Sequence, residues 1–151
     1  MDSIHIPALI ANANSTAAIA HAQATAAAAL HTVGVVFPHN ACAATLSALL
    51  QDSGINVPMT FGAGKLAHIL GGQVGGRNWT HIHLGQQQAG DVGVCFDNTL
   101  PSGADHIYLV ASVNPSNPDD MMIADNQAPT THRRFASGHG KTPTDYFLRA
   151  S

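Results

Sequence analysis

The apolar residues of this chain change their period once, and that change limits the folds open to it. Up to about residue 72 the spacing is helical. Residues 8–31 are rich in alanine, the residue with the most favourable helix propensity, and read as one long helix or two short ones. After a short apolar connector at 32–37, Asn40 suits an N-cap, and Ala43, Leu46, Leu49 and Leu50 share one face of a 3.6-residue period. Gly54 is placed to close that helix in the left-handed conformation. Residues 55–58 read as an extended linker, 62–72 as a short helix bounded by glycines, and 75–79 as a loop. From Gly90 onward the pattern is that of strands: 90–96 as a turn and strand, 105–113 as a strongly apolar strand, 121–126 as a third, and 145–149 as a closing strand. Polar or turn-rich connectors are expected at 97–104, 114–120 and 129–143. Helices first and strands afterwards predict an α+β fold with a meander of short antiparallel strands. With 151 residues the chain is expected to form one domain, the segment 8–31 serving as scaffold beside a core spanning 40–149.

Composition narrows the function. Only 10% of the residues are charged and the formal net charge is −3, so the chain offers no basic surface to hold nucleic acid or an anionic membrane. All nine acidic residues are aspartate. Without glutamate there is no His-Glu-x-x-His zinc-protease helix and no glutamic acid to act as proton donor. The start of the chain has no basic segment ahead of an apolar run, so it reads as neither a secretory signal nor a membrane span. Scarcity of Lys and Glu points to work outside the cytoplasm; the resemblance described below implies a protein secreted or delivered to the cell wall or periplasm. Cys42 and Cys95 are free to pair in an oxidising compartment, but two cysteines make no disulfide framework.

The residues that carry chemistry are far apart in sequence. Cys42 falls in the first turn of its predicted helix, where unpaired N–H groups and the positive end of the dipole favour a thiolate. A hydrolytic cysteine needs a base within reach and a third polar group to hold that base. His106 opens the central predicted strand, while Asp125 and Asn126 end the next, so in a meander these positions lie side by side. His39 and Asn40 are the nearest upstream candidates for an oxyanion site. Trp79, the lone tryptophan, reads as a packing anchor or as a wall of a substrate groove. A rival chemistry starts from His81 and His83, whose His-x-His spacing puts two imidazoles on one side of a strand and would suit a metal-dependent hydrolase. His21 and His31 read as solvated or capping residues, and His132 and His139 as solvated loop residues with the lining of a cleft as their alternative. The Gly62-Ala63-Gly64 pair lacks the strand and third glycine of a phosphate cradle.

The order Asn40-Ala41-Cys42-Ala43-Ala44, Gly90-Asp91-Val92, His106-Ile107-Tyr108-Leu109-Val110-Ala111-Ser112-Val113 and Ile123-Ala124-Asp125-Asn126 resembles the papain-like amidohydrolases of bacterial cell walls. These are the CHAP type (cysteine, histidine-dependent amidohydrolases and peptidases) and the related NlpC type. The resemblance covers about residues 40–149. It implies a papain-like fold in which a helix start packs on a small antiparallel sheet, with Cys42 as nucleophile, His106 as general base and Asp125 as orienting residue, Asn126 being the substitute. It also implies cleavage of an amide in peptidoglycan or another peptide through a thioester, with no cofactor and no metal. Peptidoglycan peptides would be the partner, with a cognate inhibitor or immunity protein for a delivered enzyme, and neither nucleic acid nor membrane. Three features depart from the type: glutamate often fills the third place there, the polar oxyanion residue upstream of the cysteine has no obvious match beyond His39 and Asn40, and the alanine-rich segment has no counterpart. A non-enzymatic binding module and an acyltransferase on the same scaffold are the other readings.

Overall fold

The structure, a computed structural model, describes residues 1–96 and 104–151. A short 3-10 turn at Asp2–His5 leads into α1 (Ile6–Ala13) and α2 (Thr16–His31), followed by α3 (Cys42–Asp52) and α4 (Ala63–Leu70). The strands are β1 (Thr80–Ile82), β2 (Val92–Phe96), β3 (Ala104–Asn114), β4 (Asn117–Ala124), β5 (His132–Phe135) and β6 (Tyr146–Arg149). They form one antiparallel sheet in the order β1-β6-β2-β3-β4-β5, which makes the class α+β. Among the described residues no helix is long and apolar enough to cross a membrane.

The alanine-rich segment is two helices. Asn14 and Ser15 break the run, and the Ser15 hydroxyl caps α2 by accepting from the Ala18 N–H at 3.1 Å. Ala22 and Ala26 of α2 are fully buried, their small side chains letting this helix lie close to α3. As a result α3 is enclosed on every side: all residues from Ala43 to Leu50 are buried, rather than the single face that the spacing suggested. The amphipathic reading failed because α1, α2 and α4 cover the face turned away from the sheet. Burying Leu46, Leu49 and Leu50 stabilises the fold by about 1.5–3 kcal/mol each. The helix ends as expected. Gly54 has φ +94°, and the N–H groups of Gly54 and Ile55 donate to the carbonyls of Gln51 and Leu50 at 3.0 and 2.9 Å, a Schellman closure.

Alternation along the strands splits the sheet into two faces. Val92, Val94, Ile107, Leu109 and Leu148 pack with the helices, while Cys95, Tyr108, Val110, Ile123 and Phe147 build a smaller cluster on the opposite face. Gly93 pairs with Tyr108 across the ladder, and a Cβ at this glycine would land inside the tyrosine ring. Gly93→Ala should therefore lower stability by about 1–3 kcal/mol, read as a thermal midpoint several degrees lower. An unchanged melting curve would show that the ring does not need that space.

Two connectors differ from expectation. The connector between β3 and β4 shrinks to Pro115 and Ser116, and the expected loop at 129–143 contains β5. β1 continues directly from the expected loop at 75–79. All these segments are polar, and β1 and β5 are the sheet's two edges, where short strands with charged side chains are usual and the apolar alternation disappears. The polar loop expected at 97–104 lies, but for its last residue, outside the described residues.

Candidate active site

Cys42 is the first residue of α3. The N-cap is Ala41, not Asn40: Asn40 sits one position earlier in a left-handed conformation (φ +49°), and no side chain caps the helix. Asparagine tolerates that conformation better than most residues, so Asn40 serves the turn rather than the cap. The consequence is chemical. The N–H groups of the first turn meet no capping side chain, so the positive end of the helix dipole lies uncompensated beside the Cys42 sulfur.

The partner residues come from the sheet. Strand alternation puts His106 on the same side as Tyr108, whose ring it stacks on at 5.9 Å, so Cys42 meets it at the end of the sheet. Nε2–H of His106 donates to Oδ2 of Asp125 at 2.9 Å, leaving Nδ1 as the ring nitrogen for the thiol. Asp125, 2% exposed, follows the last residue of β4 and receives two further bonds on Oδ1, from Nε2–H of His132 at 2.8 Å and the Gln127 N–H at 2.8 Å. Its backbone is held as well. The Gln23 side chain on α2 donates to the carbonyls of Asp125 and Ala128 at 2.9 and 2.7 Å.

Burial opposes charge on the His106 ring, but hydrogen bonds to Asp125 and Cys42 and the charges on both outweigh it and lift its pKa to about 9. Asp125 responds in the opposite sense. Burial raises its pKa, yet the bonds from His106 and His132, the His106 charge and the Gln127 N–H hold it well below the ordinary carboxylate value. The stabilisation from charged His106 is therefore complete below about pH 6.5 and is lost as pH rises through about 9. That from ionised Asp125 is complete above its ordinary value of 3.8 and is lost as pH falls through its lower folded value. Denaturant unfolding across pH should give highest stability between about 4 and 6.5 and a decline toward 9, with the His106 ring titrating near 9 by NMR. A ring titrating near 6.5 would contradict the network.

Cys42 and His106 open on a cleft of about 420 Å³ that His39, Asn40, Asn126 and Gln127 also line. The chain matches no protein-family model, no curated protein and no solved structure. The chemistry is thus read from this geometry and from the resemblance of its short sequence segments.

The structure sorts the sequence candidates. Cys42, His106 and Asp125 come together, and His39 and Asn40 stand at the same cleft. Asn126 lines the cleft but does not hold His106; its Nδ2 donates to the Pro38 carbonyl at 3.0 Å, tying this loop to the turn before α3. Trp79 lies elsewhere. It is 2% exposed, packs in the helix-side core, and its Nε1–H donates to Asp2 at 2.9 Å, so it acts as a packing anchor and forms no wall of this groove. His81 stacks on Tyr146 at 4.5 Å, and among the described residues no group of three or more His, Cys, Asp or Glu side chains is arranged to hold a metal ion. The cysteines form no disulfide with each other: Cys42 packs on the helix side, Cys95 in the cluster across the sheet. His132 and Gln127 were missed. Their signal was faint: His132 alternates with Arg134 in a four-residue polar strand, and Gln127 acts through its backbone.

Proposed function

We propose that this chain is a cysteine amidohydrolase acting on peptide-like amides. The observation that carries it is Cys42 at an uncapped helix start, interacting with a histidine that a buried aspartate holds from behind. The raised pKa of His106 favours the imidazolium at neutral pH, which places a proton donor beside the sulfur.

The Cys42 thiolate attacks the amide carbon, forming the C–S bond while the carbonyl π electrons move to oxygen. The backbone N–H of Cys42 receives that oxyanion, a donor of this kind typically contributing about 3–4 kcal/mol. Imidazolium Nδ1–H gives its proton to the amide nitrogen, the C–N bond breaks, and the amine departs. Water then attacks the thioester carbon and yields a proton to His106; the C–S bond breaks, the carboxylic acid leaves, and the Cys42 thiolate is regenerated beside the imidazolium. Asp125 keeps the ring oriented and its charge matched throughout.

The resemblance to CHAP and NlpC hydrolases, with the papain-like arrangement it implies, makes peptidoglycan peptides the substrate we infer and the cell wall or periplasm the place of action. The test is to incubate the chain and its Cys42→Ala variant with peptidoglycan sacculi and identify released fragments by mass spectrometry. Fragments with newly freed carboxyl and amino ends, from the unaltered chain alone, are expected. Intact sacculi with both proteins would sink the substrate. Equal iodoacetamide labelling of Cys42 and the fully buried Cys95 would sink the nucleophile. Fragments carrying a new amide in place of the free carboxyl would mark a transferase.

A further inference from the structure

The amide chemistry leaves unused the buried guanidinium of Arg134. This residue of β5 is 4% exposed and lies over the Tyr108 ring at 5.2 Å. Nη2 donates to the Thr142 carbonyl at 2.7 Å and to the Cys95 sulfur at 3.3 Å, while Nε is enclosed with no hydrogen-bond partner. Arg77, Arg133 and Arg149 each pair with a carboxylate, from Asp2, Asp120 and Asp91. Among the described residues Arg134 has none. A buried cation without a counter-charge is costly, and a planar guanidinium is best matched by a carboxylate or another oxyanion.

Arg134 also has somewhere to bind one. With Lys141 and Thr142 it lines a second cavity of about 350 Å³, whose remaining wall is His106 and Gln127. Both of those residues also line the Cys42 cleft, so the two cavities adjoin across the histidine ring. Among the described residues, two cations and no carboxylate line this second space, a composition suited to an anion. Its position sets which half of a substrate would enter. The acyl carbon must lie over Cys42, and the departing amine must lie against His106, which protonates it. What is attached to that amine continues past the ring toward Arg134.

We propose that this cavity is a carboxylate-binding subsite for the amine half of the substrate, so that the favoured substrates are acylated amino acids or peptides whose amine half carries a free carboxylate. The placement rests on Cys42 and His106 cleaving an amide as described above. The volume lies at the low end of ligand pockets, which suits a short amine half rather than a long continuing chain.

The test uses the full chain carrying Cys42→Ala, which cannot turn substrate over, with N-acetyl-alanyl-alanine and its C-terminal carboxamide as probes in NMR titrations. The free acid should bind about tenfold or more tightly than the carboxamide and shift the Arg134 Nε–H resonance. Lys141→Ala, at an exposed position, should weaken acid binding severalfold and leave carboxamide binding unchanged. Arg134→Gln should abolish the preference; if that variant does not fold, the Nε–H shift and Lys141→Ala still decide. Equal binding of acid and carboxamide, no binding of either, or a preference for the acid that neither shifts Arg134 nor responds to Lys141→Ala overturns the subsite. Because binding is read without turnover, failure of the unaltered chain to cleave amides would sink the hydrolase alone. A cleaving chain indifferent to the carboxylate would sink the subsite alone.

Discussion

Cys42→Ala should abolish amide cleavage, lowering kcat on the order of 10⁴- to 10⁶-fold, and leave the fold intact. Removing a nucleophile from a catalytic unit costs that much because the remaining members have nothing to activate. The fold should survive because Cys42 is only partly buried, lies between Ala41 and Ala43, and takes part in no disulfide. A further effect follows from the electrostatics. Cys42 is one of the two partners that lift His106 to about 9, so the variant's ring should titrate lower, with Asp125 alone supporting its charge. Residual turnover within tenfold of the unaltered chain would remove Cys42 from the chemistry. A His106 titration unmoved by the substitution would mean that sulfur and ring do not interact.

Asp125→Asn should lower kcat by about 10²- to 10⁴-fold, with a stability loss in addition. The carboxylate receives three hydrogen bonds, from His106, His132 and the Gln127 N–H. An amide has one oxygen, so its NH₂ group must face at least one of these donors. If it faces His106, Nε2 becomes an acceptor and the ring's proton moves to Nδ1, where it confronts the thiol and cannot accept the thiol's proton. The variant should lose the pKa near 9, and its pH–rate curve should fall at lower pH than the parent's. Asp125→Ala, which leaves the same donors buried without any acceptor, should cost about 3–5 kcal/mol of stability. An Asn variant with native kcat and pH dependence would show that His106 needs no anionic partner.

Much of this arrangement was readable where local pattern carries the information. Cys42 was placed at a helix start because Ala43, Leu46, Leu49 and Leu50 repeat at helical spacing and Gly54 supplies the stop. His106 could be placed on a central strand because Ile107, Leu109 and Ala111 alternate with Tyr108 and Val110. Other features depend on partners distant in sequence. β6 inserts between β1 and β2 rather than extending the meander at its end, a pairing no local period encodes. β5 was hidden because an edge strand carrying Arg133 has little apolar alternation, and with it went His132. The N-cap was assigned one residue early because Asn favours caps and left-handed turns alike, and only the backbone decides between them.

On the proposed reaction, the two hydrogen bonds from Gln23 would give the alanine-rich segment a share in the rate. The side chain that fixes the loop after β4 belongs to α2, more than a hundred residues away along the chain. A lesion in that seemingly inert helix would act as a kinetic one: substrate would still dock, while the aspartate behind the imidazole drifted out of register. On the proposed reaction, a version trimmed back to the cysteine helix would keep every reacting atom yet lose the frame that aims them.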